Sequence, residues 1–175
     1  VLSKSQRELK SEQEQLKKFR RKELLALRRV PMEIAAERNT WYHLGVNSDS
    51  QFIYCLKRML EPIKEHVDNN FNPMPQVYVD EYRPVRDKIS ELMERTEAML
   101  STTRFKEYDD VLSEADKLKD ELSVIRKHHY DRMQSHHDVS NLKISLVYLN
   151  ILQESQEFLS IMRHQLRAAN RFYGN

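Results

Sequence analysis

From Asn141 to Phe172 the chain has neither glycine nor proline, and apolar residues recur at helical spacing throughout. Leu152, Leu159, Leu166 and Tyr173 lie seven residues apart, and Leu142 and Leu149 form a row beside them. A stripe of this period predicts one long helix with a face that has to be buried against other helices. Only two glycines and five prolines interrupt 175 residues. The other apolar runs also have helical rather than alternating period, so the expected class is all-α, an up-down antiparallel helical bundle.

Composition excludes several functions. The longest apolar run, Ile144 to Leu152, is broken by Ser145 and Asn150, well short of the roughly 20 residues that cross a bilayer as a helix. The single cysteine, Cys55, rules out an internal disulfide framework, and its apolar-periodic surroundings predict a buried thiol rather than a nucleophile. A net charge of +2 argues against dedicated nucleic-acid binding. The sign of the charge still varies along the chain. Residues 1–38 carry eleven Lys/Arg against six Asp/Glu, a net of +5, and residues 80–121 carry eight against thirteen, a net of −5. The basic excess gathers at Lys17, Lys18, Arg20, Arg21 and Lys22, with Arg28 and Arg29 beyond. A solvated helix face accounts for such a run, and contact with an anionic surface is the sharper reading.

Five helices are expected. The first runs to about Arg38, with Pro31 kinking or splitting it. Its row of Leu2, Leu9 and Leu16 is narrow, so residues 1–23 read as an exposed basic arm and 24–175 as the bundle. Gly45-Val46-Asn47 reads as a break, with Ser48 and Gln51 forming a capping box for a second helix. That helix carries Phe52, Leu56, Met59, Ile63 and Val67, contains Pro62, and stops at the Asn-Pro-rich segment 69–75. A third helix to about Leu100 presents Tyr78, Val85, Leu92 and Met99. After a turn at 101–103, a fourth spans about 104–134, with rows Tyr108, Ala115, Leu122, His129 and Val111, Leu118, Ile125, Arg132. Turns this short predict that the last three helices fold back on one another.

Candidate chemistry is sparse. A di-iron site needs Glu-x-x-His pairs, and no histidine here has an acid three residues before it. Glu61, Glu65 and Asp68, and separately Asp116 and Asp120, share helix faces that could hold a hard cation, but these faces oppose the apolar stripes and read as solvated. His129 and His136 continue an apolar row, with His137 and Asp138 nearby. They are either transition-metal ligands or, more simply, fillers of the wetter end of a bundle. No nucleophile elbow or glycine-rich phosphate loop is present, so the expectation is a non-enzyme without cofactor or metal.

Three stretches carry a resemblance: Leu27 to Gly45, Leu60 to Pro75, and Ser145 to Phe172. With the short turn at 101–103 and the Asp116-x3-Asp120-x-Leu122 pattern, they resemble the PhoU-like three-helix repeat, in the form found as the cytosolic C-terminal region of bacterial Na+/phosphate cotransporter family proteins. The resemblance implies a PhoU-like repeat preceded by two helices, acting as a regulatory domain on the cytoplasmic side of the inner membrane. Its partners would be a membrane domain of the same polypeptide upstream of Val1 and the inner membrane surface, touched by Lys17, Lys18, Arg20, Arg21 and Lys22 in line with the positive-inside bias. A homodimer using Trp41, Tyr42 and Phe71 is a further expectation. The alternative is a stand-alone adaptor that binds a partner protein or an anionic surface. One departure matters. The acid pairs of PhoU-like metal sites would fall at Ser123 and Lys127 and at Glu157 and Ile161, so three of the four acids are missing.

Overall fold

The computed structural model describes residues 2–27, 32–69, 72–135 and 139–173, the side chains at 20–27, 32–39, 46 and 139–141 excepted. Five helices account for nearly all of them: α1 (Leu2–Leu27), α2 (Met32–Asp68), α3 (Gln76–Thr102), α4 (Tyr108–Ser135) and α5 (Val139–Tyr173). No strand occurs among the described residues, so the all-α class holds.

The long apolar stripe becomes α5, which touches α2, α3 and α4, while among the described residues α1 rests on α2 alone. One core lies between α3, α4 and one side of α5. Tyr78, Val85, Leu92 and Met99 meet Val111, Ala115, Leu118 and Leu122 there, and Tyr148, Leu152, Leu159, Met162 and Leu166 close it. The α3 and α4 residues and Leu152, Leu159 and Leu166 belong to the rows expected from the sequence, whereas Tyr148 and Met162 do not, and Leu142 of the expected flanking row is exposed. Tyr173, the last member of its row, is exposed. The other side of α5 offers Ile144, Val147 and Ile151 to Met59 and Ile63 of α2. Each buried leucine of this kind stabilises the fold by about 1.5–3 kcal/mol.

Side-chain pairs fix how the helices lie. Glu81 meets Arg132, Lys88 meets Glu121, and Arg95 meets Glu114, so numbering rises along α3 as it falls along α4. The same holds between α4 and α5, where His129 meets Ser145 and Asp116 meets Arg163. Between α2 and α5, Asp49 meets Gln165 and Arg58 meets Glu154.

Two expected boundaries move. The break expected at Gly45 does not occur, since α2 spans Met32–Asp68; Pro31, where a kink or split is expected, lies outside the described residues. α2 runs straight through Gly45-Val46-Asn47. Ser48 is no N-cap there: it is buried, and its hydroxyl donates to the Leu44 carbonyl at 2.9 Å. A helical glycine costs only about 1 kcal/mol against alanine. The contacts that flank it, Tyr42 on Phe172 and Asp49 on Gln165, hold the helix together across that position. The second shift is smaller. Ser101 and Thr102 still belong to α3, bonding back to the carbonyls of Glu97 and Ala98, and the chain turns at Thr103, whose φ of 52° is left-handed. α4 begins at Tyr108 rather than Arg104. At the other stop, Asn69 caps α2 by donating its side-chain amide to the Glu65 carbonyl. Pro62 and Pro84 both lie inside helices.

The narrow row of α1 is not bare. Leu2, Leu9 and Leu16 are half-buried, and Gln13 accepts a hydrogen bond from Lys57 of α2 at 2.6 Å.

Candidate functional site

Two polar assemblies are built into the interior, both along α5. The first sits in the seam between α2 and α5. Glu154 follows Ile151 on the face turned to α2, so its carboxylate is carried into an apolar seam and only 7% of its side chain is exposed. Arg58, one turn beyond Tyr54 on α2, reaches it with Nε donating to both oxygens at 2.9 and 3.0 Å, and Nη2 lies 2.8 Å from Oε2. That pairing holds the guanidinium above its ordinary range. Beside it, the fully buried Cys55 thiol donates to the Glu154 backbone carbonyl at 3.1 Å. Burial first, and then the hydrogen bond and charge of Glu154, push the thiol up to about 12. A thiol so far above neutrality is not a nucleophile. On the neighbouring turn Tyr82 and Ser155 share a 2.7 Å hydrogen bond, and Ser155 also donates to the Ile151 carbonyl.

The second assembly lies where α3, α4 and α5 meet. Tyr78 and Tyr148 stack with centroids 4.6 Å apart, and the His129 ring stands edge-on to both at 4.9 Å. Nε2 of His129 lies 2.9 Å from the Ser145 carbonyl, which can only accept, so Nε2 carries the proton. Nδ1 is buried with no hydrogen-bond partner among the described residues. Burial drives the His129 pKa below its ordinary value and Arg132 adds to this, against the opposing pull of the Ser145 bond and Glu81. Glu81 accepts from the Tyr148 hydroxyl at 2.8 Å and from Arg132 at 2.7 Å. Burial alone would raise the Glu81 carboxyl. The donors from Arg132 and Tyr148 outweigh it and hold the group below the usual carboxylate range. Tyr148 is held protonated by burial and by the carboxylate it donates to. The Arg132 guanidinium also lies over the Tyr78 ring at 5.3 Å.

Cys55 and Tyr148 keep their protons near neutral pH, and apart from the buried Nδ1 of His129 the polar groups of both assemblies are engaged by other residues of the chain. The arrangement orients helices. It presents no activated nucleophile and no acid–base pair facing a cleft.

The residues singled out in the sequence fall elsewhere. Lys17 and Lys18 are exposed on α1 beside an exposed Phe19, whereas the side chains of Arg20, Arg21 and Lys22 lie outside the described residues. Glu61, Glu65 and Asp68 are exposed, and Asp68 pairs with Lys64. Asp116 and Asp120 are exposed too, with Asp116 2.8 Å from Arg163. No group of three or more His, Cys, Asp or Glu lies close enough to hold a metal among the described residues. His129 does not fill a wet end of the bundle: it is wholly buried between two tyrosines, because Tyr78 and Tyr148 come from other helices and enclose it. Its companions His136, His137 and Asp138 lie outside the described residues. At the positions matched to PhoU-like metal acids, Ser123 accepts from Gln156, Lys127 and Glu157 are exposed, and Ile161 is buried. Of the aromatics expected at a dimer face, Trp41 and Tyr42 are half-buried and Phe71 lies outside the described residues. Sequence reasoning missed Arg58 with Glu154. The available signal was a carboxylate in register with an apolar row on α5.

Compared with known protein families, curated proteins and solved structures, the chain matches none. No described helix is long and apolar enough to cross a membrane.

Proposed function

We propose that this chain is a non-catalytic, PhoU-like regulatory domain of a Na+-coupled phosphate transporter, joined to a membrane domain and working at the cytoplasmic side of the inner membrane. The observation that carries the reading is the arrangement around α5. A three-helix unit, α3 to α5, shares its longest helix with a preceding helix, α2, and α2 in turn bears the helix with the basic run. That is the organisation the resemblance implies, a repeat preceded by two helices.

In this reading Lys17, Lys18, Arg20, Arg21 and Lys22 lie against anionic lipid, at about 1 kcal/mol per base near such a surface. α1 then transmits displacement between membrane and bundle through α2. The domain biases the transporter only if it makes different contacts in two transporter states. The Arg58–Glu154 assembly sets the position of α2 on α5, the His129 assembly ties α3, α4 and α5 together, and the two provide the stiffness such coupling needs.

The test begins with the gene. Its coding sequence upstream of Val1 is expected to encode several apolar segments of about 20 residues; a frame without them sinks the reading. Where they are present, Na+-dependent phosphate uptake by cells with the domain intact and deleted is the functional measurement. Uptake that is Na+-dependent and altered by the deletion supports the proposal. Uptake unaltered by the deletion, or no phosphate uptake at all, refutes it.

A further inference from the structure

α2 and α3 both rest on α5, yet no Cα of one comes within 8 Å of a Cα of the other among the described residues. Between them, beside the middle of α5, a slot of about 360 Å3 remains. Its walls are Phe52 and Leu56 on one side and Met93 and Leu100 on the other, with Phe158 of α5 between. All five are half-buried rather than enclosed. Phe52 and Phe158 meet edge to face at 4.8 Å, which gives the slot a stiff apolar end.

Two further observations describe its occupant. The neutral polar groups along the slot are engaged within the chain: the Thr96 hydroxyl donates to the Leu92 carbonyl at 2.7 Å, the Ser101 hydroxyl to the Glu97 carbonyl at 2.7 Å, and Gln165 to Asp49 at 2.7 Å. A small polar ligand would therefore find few partners. The charge at the rim has one sign. Asp49 and Glu97 line the slot and, among the described residues, no basic residue does.

We propose that this slot receives an amphipathic helix of a partner protein, with apolar anchors at i and i+3 or i+4 and lysine or arginine on the flanks. The geometry is that of a helix lying in a groove between two others, where spaced anchors supply the affinity. An apolar cavity of about 150 Å3 takes one benzene, so the slot has room for about two such anchors. The acids supply orientation and a preference for cationic partners rather than most of the affinity. The proposal stands apart from the phosphate-transport reading, since it uses no residue of the basic arm and the failure of either leaves the other intact.

The full chain is titrated, by fluorescence anisotropy, against two synthetic helical peptides. Both carry leucine at the i, i+4 and i+7 positions; one has lysines elsewhere and the other glutamates. The lysine peptide is expected to saturate and to bind at least about tenfold tighter than its glutamate counterpart, a difference that narrows as salt rises. Met93→Asp should abolish binding. The exposed Glu97→Lys, which leaves the core untouched, should weaken the lysine peptide several-fold and so keeps the test valid if Met93→Asp unfolds. Equal binding of both peptides, no binding of the lysine peptide, or binding unchanged by Glu97→Lys overturns the proposal. So does sedimentation showing a dimer that Glu97→Lys dissociates, because the slot would then belong to a second copy of the chain.

Discussion

Replacing Arg58 by methionine separates the two contributions a buried ion pair can make. The aliphatic stem is retained, so packing on α2 changes little, while the three short contacts to Glu154 vanish. Glu154 remains in the seam with its side chain 7% exposed. Stripping one partner from a buried pair costs about 3–5 kcal/mol. Half of the Arg58 side chain is in water, however, and solvent already screens the attraction, so the expected loss is about 2–3 kcal/mol. For a chain of this size that is a fall in Tm of roughly 4–12 °C. Urea unfolding followed by circular dichroism measures it directly. One signature distinguishes the mechanism from lost packing. The double variant Arg58→Met with Glu154→Leu should recover to within about 1 kcal/mol of the parent, since apolar replacement of a buried pair is often neutral. An Arg58→Met loss below about 0.5 kcal/mol, or a double variant no better than the single one, would refute the reasoning, since the pair would then be weaker than an exposed bridge.

Three other outcomes are expected. Gly45→Ala should stabilise the chain by about 0.5–1 kcal/mol, because the residue is helical and an added Cβ would meet nothing within 4 Å; destabilisation in the same urea assay would mean that α2 needs a break there. Leu159→Ala should cost about 2–5 kcal/mol, as a wholly buried leucine of the main core, and a loss below 1 kcal/mol would place it at the surface. His129 gives the pH dependence. Its folded pKa lies below its unfolded one, so its contribution is complete above about 6.5 and declines as the pH falls from there toward the folded pKa. The decline is at most about 1.4 kcal/mol per pH unit. Stability profiles of the parent and His129→Asn should therefore diverge below 6.5, and parallel profiles would show that the imidazole is not held neutral. Glu81 adds a second, more acidic loss, beginning below the ordinary carboxylate pKa of about 4.3.

Much of the bundle was legible because the heptad rows repeat without interruption. Tyr78, Val85, Leu92 and Met99 are all buried, and so are Val111, Leu118 and Leu122, since a seven-residue period on a helix leaves one face to bury whatever the partner. Local signals failed where a distant contact outweighed them. Gly45-Val46-Asn47 has turn chemistry in isolation, but Tyr42 meets Phe172 and Asp49 meets Gln165, residues more than a hundred positions away. The same limit applied to the polar interior. Glu154 was visible as an acid within an apolar helix, yet nothing nearby in the chain announces Arg58, 96 residues before it. The position of His129 on an apolar row was readable. Its enclosure was not, because Tyr78 and Tyr148 arrive from two other helices.

These polar contacts do for α2 what apolar contact alone cannot. Ile144, Val147 and Ile151 would pack almost as well against a neighbouring turn of α2 as against Met59 and Ile63, because one aliphatic surface resembles another. Sliding α2 along α5 by one turn, about 5.4 Å, would exchange apolar for apolar and leave the area buried little changed. It would also separate Arg58 from Glu154, Cys55 from the Glu154 carbonyl and Asp49 from Gln165. Each separation strands a buried or half-buried polar group, and such groups are costly to leave unpaired. Register between α2 and the three-helix unit is therefore set by a handful of directional contacts on one side of α5, while the apolar rows supply most of the stability. The two functions are carried by different residues of the same helix. A change confined to Arg58 or Glu154 thus acts on where α2 sits and leaves the core around Leu152, Leu159 and Leu166 intact.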